Sequence, residues 1–168
     1  MKPVQEIYVF GKAEIKVLRE LAKGENSVAN IQKSLSVYPS LLYYHIKKLL
    51  RKGIIRTTGR GAKRFIYFND GKHISLLKEL LTTYGNIEWE KVLTEKAIEI
   101  LFQAVSGPRK EFQNLSKTTL LRHLENLKAY EIVKMTEDGY VINPKFPILI
   151  EFLKEYQRFF AQQGKLPR

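Results

Sequence analysis

The chain has 168 residues, 44% of them hydrophobic, which is enough for one compact domain or two small ones with packed cores. It contains no cysteine, and this excludes disulfides, cysteine-ligated zinc and thiol catalysis. The formal net charge is +12, and residues 1–71 carry +9 of it, with 14 Lys and Arg against 5 Asp and Glu. We therefore expect a polyanionic partner to bind mainly the first half of the chain.

The sequence predicts neither export nor insertion into a membrane. The N-terminal stretch MKPVQEIYVFGKAEIK lacks the apolar core and cleavage site of a signal peptide, and no apolar run reaches the ~20 residues of a membrane span. His45, His73 and His123 stand at spacings that suit no metal cluster. We expect a soluble, cytoplasmic protein with no metal and no other cofactor.

The first 71 residues predict three helices and a β-hairpin, after a short strand or irregular lead-in at residues 4–10. Apolar residues at helical spacing place the helices at Lys12–Lys23, Ser27–Leu35 and Ser40–Lys52. Ser27 is a suitable N-cap, and Pro39 suits the first turn of the third helix. Two strands are predicted next, at Ile54–Thr57 and Arg64–Phe68, joined by the glycine-rich residues 58–63.

A second copy of this pattern follows a linking helix predicted over residues 73–84. Ile15, Leu18 and Gly24 match Ile98, Leu101 and Gly107 at a constant offset of 83. At an offset of 78, Leu42, His45, Leu49 and Ile54 match Leu120, His123, Leu127 and Ile132. These matches indicate a tandem repeat of one fold, five residues shorter around the second helix of the second copy. Its remaining elements are predicted at Thr94–Ser106, Ile132–Met135 and Tyr140–Ile142.

The last predicted helix, residues 148–162, has a wide aromatic face. Its apolar residues are Leu149, Phe152, Leu153, Tyr156, Phe159 and Phe160. Such a face either closes the core of the second copy or pairs with its counterpart in another subunit, and the sequence leaves both open. Trp89, between the two copies, is expected in a core.

A window without any carboxylate extends from Glu25 to Asp70. Its cations are Lys33, Lys47, Lys48, Arg51, Lys52, Arg56, Arg60, Lys63 and Arg64. In the third helix Leu42, Ile46, Leu49 and Leu50 form an apolar stripe, so the basic residues fall on the other side. A helix that is apolar on one face and basic on the other, followed by a basic hairpin, is typical of winged-helix DNA-binding proteins. The alternative is a solvated, lysine-rich helix with an ordinary hairpin.

The stretch PSLLYYHIKKLLRKGIIR resembles the recognition-helix signature of prokaryotic winged helix-turn-helix regulators of the ArsR/MarR type. There, Ser and His stand five apart before an apolar-Lys-Lys-Leu run, a Gly and an apolar strand. SKTTLLRHLENLKAYEIV resembles the same signature, with Glu131 where Gly53 stands. Leu41 departs from the family pattern, because a small polar residue is usual at that position.

The resemblance implies a third helix in the major groove of DNA and a wing beside the backbone or in the minor groove. At the matching positions of this sequence, the resemblance implies that the residues facing the groove are Ser40, Tyr43, Tyr44, Lys47 and Lys48. It implies that Arg51 and Lys52 lie nearer phosphates. Arg60, Lys63 and Arg64 belong to the wing, where Gly59 and Gly61 allow close approach. Two alternatives stay open: one of the two tyrosines packs at the helix edge, and the wing is only a solvated loop.

The second copy is expected to contribute less to DNA binding. Lys117 and Arg122 are secondary candidates, whereas Glu137 and Asp138 at its wing tip would repel phosphate. His45 and His123 are interpreted as structural residues or phosphate contacts, since no catalytic constellation accompanies them. The sequence predicts no catalytic residue and no enzyme.

The fold class predicted is mainly α with small β-hairpin wings (α+β), as tandem winged-helix domains. The boundaries expected are a winged-helix DNA-binding domain at residues 1–71, a linker helix at 72–90, a second winged helix at 91–146 and an amphipathic helix at 147–168. The function expected is sequence-specific binding of double-stranded DNA by a nucleoid-associated transcriptional regulator. A homodimer is expected, through helix 148–162 or helix 73–84.

Other functions stay open at this point. A replication initiator or DNA-architectural protein would bind DNA repeats with both copies. A protein-assembly module would have only weak, sequence-independent affinity for duplex DNA. Structured RNA is a further, minor alternative.

Overall fold

The computed structural model describes residues 10–162, apart from the side chains of Ala62 and of residues 160–162. The chain divides into two compact units. The first is Gly11–Asn86, and the second, in the described part of the chain, contains Phe10 and residues 87–162. Both are mainly helical, each with one two-stranded antiparallel hairpin, as predicted. The lead-in predicted at residues 4–10 lies, except for Phe10, outside the described residues.

The first unit contains the three helices and the hairpin predicted for it, followed by a fourth helix. Its elements are α1 Lys12–Ala22, α2 Val28–Leu35, α3 Pro39–Arg51, β1 Ile55–Thr58, a 3-10 turn Gly61–Lys63, β2 Phe65–Phe68 and α4 Lys72–Thr83. The Ser27 hydroxyl caps α2 by accepting a hydrogen bond from the Asn30 amide. Pro39 occupies the first turn of α3, where its missing amide hydrogen removes no helical bond. Both predicted helix starts are confirmed.

The core of this unit forms where the apolar stripes of its helices meet. Ile15 and Leu18 of α1 and Ile46 and Leu49 of α3 are at most 1% exposed. Helix α4 packs against α1 and β2, and it buries Leu77 and other apolar side chains. The helix that the sequence placed in a linker therefore completes the core of the first unit.

The hairpin of the first unit is attached to the turn between α1 and α2. Strands β1 and β2 pair in register from Ile55 opposite Phe68 to Thr58 opposite Phe65. The Ile66 amide donates to the Asn26 carbonyl at 2.9 Å, and the Asn26 side-chain amide donates back to the Ile66 carbonyl at 2.8 Å. Two reciprocal bonds thus hold the hairpin beside the helices.

The second unit has a different set of helices before its hairpin. They are α5 Trp89–Val92, α6 Glu95–Val105, α7 Lys117–Ala129, β3 Val133–Thr136, β4 Gly139–Ile142 and α8 Pro147–Gln162. Helix α5 was not predicted. The second helix expected between α6 and α7 is absent from residues 106–116, so that prediction is wrong. Pro108 and the extended backbone of Arg109, which forms a β-bridge with Tyr140, prevent a helix there.

The two units repeat one turn geometry after their longest shared helix. Gly53 follows α3 with a φ of +75°, and Glu131 follows α7 with a φ of +60°. The Asn69 side-chain amide donates to the Gly53 carbonyl at 3.1 Å, and the Asn143 amide donates to the Glu131 carbonyl at 3.0 Å. The sequence offset of 78 therefore corresponds to a shared local structure.

Helix α8 contributes its apolar face to the core of its own unit. It packs against α6, and Leu149, Phe152, Leu153 and Tyr156 are at most 1% exposed. Trp89 is fully buried in the same unit, as predicted. Of the two alternatives for the last helix, the structure shows core closure, and dimerisation through this helix stays a prediction.

Candidate nucleic-acid interface

Helix α3 has one face in the core and one face in solvent. Leu42, Ile46 and Leu49 are buried. The side chains exposed on the rest of the helix are those of Pro39, Ser40, Leu41, Tyr43, Tyr44, Lys47 and Arg51. Five of these seven residues belong to the predicted DNA-binding set, and the other two are Pro39 and Leu41. The division arises because apolar residues recur at the 3.6-residue period while the intervening positions carry hydroxyls, phenols and cations.

Tyr43 connects the outer face of α3 to the hairpin. The Arg64 guanidinium lies 4.3 Å from the centre of its ring, and the Lys47 ammonium lies at 5.7 Å. Cations over an aromatic face are attracted by its quadrupole. Tyr43 is nevertheless 42% exposed, so this contact leaves much of the phenol accessible.

Tyr44 is more accessible still, at 53% exposed. The Lys48 ammonium lies 5.3 Å from its ring centre, and the His45 ring meets it edge-on at 5.4 Å. Neither tyrosine of α3 is therefore a core residue. Both present hydroxyl and ring edges beside cations, a combination that suits phosphate and base contacts.

Lys48 and Lys52 bind a buried carboxylate. The Glu14 side chain of α1 is 1% exposed; its Oε2 lies 2.8 Å from the Lys52 ammonium, and its Oε1 lies 3.5 Å from that of Lys48. Glu14 also accepts a hydrogen bond from the Gly11 amide at 3.1 Å. The Lys52 side chain is only 12% exposed, so this predicted phosphate contact serves first to hold α3 against α1.

Sequence reasoning overlooked Glu14 although a signal was present. Glu14 stands four residues before Leu18 and seven before Leu21, on the apolar stripe of α1. A carboxylate on such a stripe needs a buried partner, because burying an unpaired charge is unfavourable. Two lysines one turn apart on the neighbouring helix supply that partner.

The hairpin tip presents two cations on a defined turn. Arg60 and Lys63 are exposed, and the Lys63 amide donates to the Arg60 carbonyl at 3.1 Å within the 3-10 turn. Gly59 has a φ of +80°, and a Cβ there would collide with the Lys63 carbonyl. Glycine is thus required at position 59 for the turn to close.

Sequence reasoning also overlooked the outer face of the hairpin. Phe65 and Tyr67 are exposed on β2, on either side of buried Ile66. The Arg56 guanidinium lies 5.7 Å from the centre of the Tyr67 ring and donates to the Phe68 carbonyl at 3.0 Å. The alternation in RFIYF was the signal for this face, since successive residues of a strand point to opposite sides.

The histidines of the two units lie in similar environments. His45 on α3 and His123 on α7 are both half-buried, and burial lowers the pKa of each imidazole below its usual value. The charge of Glu14 raises the pKa of His45, whereas Arg122 and Lys96 further lower that of His123. Within residues 10–162, no group of three His, Asp or Glu side chains is placed to hold a metal ion.

The corresponding surface of the second unit is mixed in charge. Lys117 and Arg122 are exposed on α7, but Glu125 is exposed on the same helix. The hairpin tip consists of exposed Glu137 and Asp138. Phosphate would meet two carboxylates where the first unit offers two cations.

Comparisons with known proteins give no relative for this chain: no family model, no curated protein and no solved structure matches it. In the described range, residues 10–162, no helix is long and apolar enough to cross a bilayer.

Proposed function

We propose that this protein is a sequence-specific, double-stranded-DNA-binding protein of winged-helix type that regulates transcription in the prokaryotic cytoplasm. The observation that carries the proposal is the outer face of α3. It combines exposed tyrosines and cations, adjoins a cationic hairpin through the contact of Arg64 with Tyr43, and lies in a window free of carboxylates. We infer that α3 enters the major groove and that the hairpin contacts the backbone or the minor groove.

The dimensions and chemistry of this face suit duplex DNA. The major groove admits one α-helix, and Lys and Arg neutralise phosphates on either side of it. In the proposed complex Ser40, Tyr43 and Tyr44 face the groove. The cations Lys47, Arg51, Arg60 and Lys63 contact phosphates, and Lys48 and Lys52 hold the helix in place through Glu14.

The second unit has a supporting role in this proposal. The acidic tip of its hairpin disfavours phosphate, and the mixed charge of α7 provides little attraction. We propose that this unit serves assembly, and that a homodimer places two copies of α3 in successive major grooves, about 34 Å apart.

Charge reversal on α3 tests the proposal. The variant K47E/R51E should lose about a hundredfold or more in affinity for a duplex selected from random DNA, because two phosphate contacts become repulsive. Fluorescence anisotropy at physiological salt measures the affinity, and circular dichroism confirms the fold. Both residues are exposed, so folding should be unaffected.

The matched control is K117E/R122E, which reverses the same number of charges on α7. This variant should lose much less affinity. Unchanged binding by K47E/R51E would contradict the proposal. Equal losses in both variants would favour an architectural or replication protein that binds DNA with both units, and weak, sequence-independent binding by the wild type would favour a protein-assembly module.

A further inference from the structure

The first two turns of α3 lack the side chains that usually read bases by hydrogen bonding. Residues 39–46 read PSLLYYHI and contain no Arg, Lys, Asn or Gln. Guanine is read mainly by Arg or Lys, and adenine by Asn or Gln. In helix-turn-helix proteins the N-terminal residues of the recognition helix contact the base edges. Polar readout at this end of α3 is therefore limited to the Ser40 hydroxyl, the tyrosine hydroxyls and the half-buried His45.

The same two turns expose apolar surface instead. Leu41 is 46% exposed and Tyr44 is 53% exposed. They stand three residues apart, so they are neighbours on one side of the helix. The equivalent positions of the second unit, at the offset of 78, are Thr119 and Arg122. The apolar pair is thus particular to the unit with the cationic surface.

Cations lie on the same helix as this apolar pair and on the hairpin of the same unit, and this indicates what covers it. Lys47 and Arg51 follow on the same helix, and Arg60 and Lys63 lie on the exposed tip of the hairpin. A partner that meets all of these groups carries negative charge around an apolar contact. The thymine C5 methyl is the apolar group on the base edges of the major groove, and phosphates flank it.

We infer that Leu41 and Tyr44 read thymine, by packing against the C5 methyl groups of A·T pairs in the major groove. The inference rests on the proposed function and specifies the base that the recognition helix selects. Recognition at these positions is then apolar, and the surrounding cations add affinity that does not depend on sequence.

Removing the methyl group tests the inference. A duplex selected from random DNA is compared with the same duplex in which deoxyuridine replaces each thymine in turn. Uracil keeps the pairing and the O4 acceptor and lacks only the methyl. We expect binding to weaken by about fourfold at each methyl that packs against one of the two side chains, as for the burial of one CH₂ group.

Two variants assign the effect to the side chains. L41A and Y44A should bind the thymine duplex more weakly, and each should lose the preference for thymine at its own position. L121A is the matched control, because Leu121 is an equally exposed leucine, 51%, on α7. It should keep the full thymine preference.

The outcomes separate the inference from the proposed function. If the wild type binds thymine and deoxyuridine duplexes equally well, or if L41A and Y44A both keep its full preference, the inference is wrong while DNA binding stands. If no duplex is selected at all, the proposed function fails. Loss of the preference in L41A or Y44A, but not in L121A, supports the inference.

Discussion

The two units have the same turn after α3 and after α7, but they form it with different residues. They also differ in the contacts that hold these two helices, since among the described residues only α3 is held by ion pairs with a buried carboxylate. After α3 the turn uses Gly53, and after α7 it uses Glu131, both with positive φ. Each turn is bonded by an asparagine side chain at the end of the hairpin, Asn69 or Asn143. The same hydrogen bond from asparagine thus accompanies the positive φ of this turn, whether the residue there is glycine or glutamate.

Ion pairing distinguishes the two units more strongly. Glu14 of α1 holds Lys48 and Lys52, whereas the equivalent of Glu14, at the offset of 83, is the buried Ala97. The equivalents of the two lysines, at the offset of 78, are Asn126 and Tyr130. The same helix packing is therefore possible without any charge.

The largest expected effect comes from removing the buried carboxylate. E14A should destabilise the first unit by about 3 kcal/mol, because it removes the ion pairs that Glu14 makes with Lys52, whose side chain is only 12% exposed, and with Lys48. Urea unfolding followed by far-UV circular dichroism measures the loss. Trp89, the single tryptophan, lies in the second unit, so its fluorescence reports the unfolding of that unit.

A triple variant sharpens this comparison. E14A/K48N/K52Y gives the first unit the residues found in the second, and it should recover most of the stability lost in E14A, since it removes the two lysines together with the carboxylate that pairs with them. A single variant as stable as the wild type would contradict the role given to Glu14. A triple variant no more stable than E14A would show that the packing depends on the ion pairs.

A smaller effect on stability is expected from substitutions in the turns that follow α3 and α7. G53A should destabilise the first unit by about 1 kcal/mol, because alanine is disfavoured at a φ of +75° although no atom lies within 4 Å of its Cβ. E131G should stabilise the second unit by less than that. It relieves the same strain but removes an exposed ion pair with Lys145, at 2.8 Å.

Urea midpoints of the four proteins, wild type, G53A, E131G and K145A, measure these turn effects. K145A isolates the contribution of the ion pair, which we expect to be small. An E131G variant less stable than K145A would mean that glutamate is favoured at this turn for another reason.

The smallest expected effect is a dependence of stability on pH through the two histidines. Burial lowers the pKa of His45 and of His123 in the folded state, so the unfolded chain binds more protons as the pH falls through about 6.5. Stability is therefore fully present above about pH 7 and decreases over the interval in which the pH falls through about 6.5 toward the lowered pKa of each folded imidazole. Thermal unfolding across this interval measures the decrease.

The two histidines should contribute unequally to this decrease. H123Q should remove more of the pH dependence than H45Q, because Arg122 and Lys96 both add to the lowering of the His123 pKa by burial, whereas at His45 Glu14 raises the pKa and Lys48 lowers it. The Trp89 fluorescence transition isolates the second unit. Equal pH dependence in both variants would contradict the assignment of these charges.

Most of the fold could be predicted because local signals coincide with the tertiary structure. The period of Ile15, Leu18 and Leu21, the Ser27 cap and Pro39 each specify an element without reference to distant residues. The missing helix in residues 106–116 could not be predicted in this way. The offsets there fixed only the length of the segment, and its conformation depends on the bridge between Arg109 and Tyr140, which the sequence does not reveal.

The sequence predicted which residues of the candidate site are exposed, but it did not predict which of them form ion pairs within the protein. Tyr43, Lys47 and Arg51 lie on the outer face, where helical periodicity placed them. Lys48 follows the same periodicity and yet contacts Glu14, from which it is separated by 34 residues in sequence. A helical pattern gives the direction of a side chain but not the charge that it meets, so sequence reasoning treated Lys47 and Lys48 alike.

The contact of Glu14 with two lysines of α3 also bears on the sensitivity of the proposed complex to salt. A protein cation that neutralises a DNA phosphate displaces a condensed counterion, and this release makes affinity fall as salt rises. Glu14 offsets one of the two positive charges of Lys48 and Lys52, so this pair displaces fewer such ions than two unpaired lysines would. The salt dependence of DNA binding is therefore set by fewer residues than the nine cations of the carboxylate-free window. Within this unit, the buried carboxylate of Glu14 holds α3 in place, and the same ion pairs reduce the number of counterions released when DNA binds.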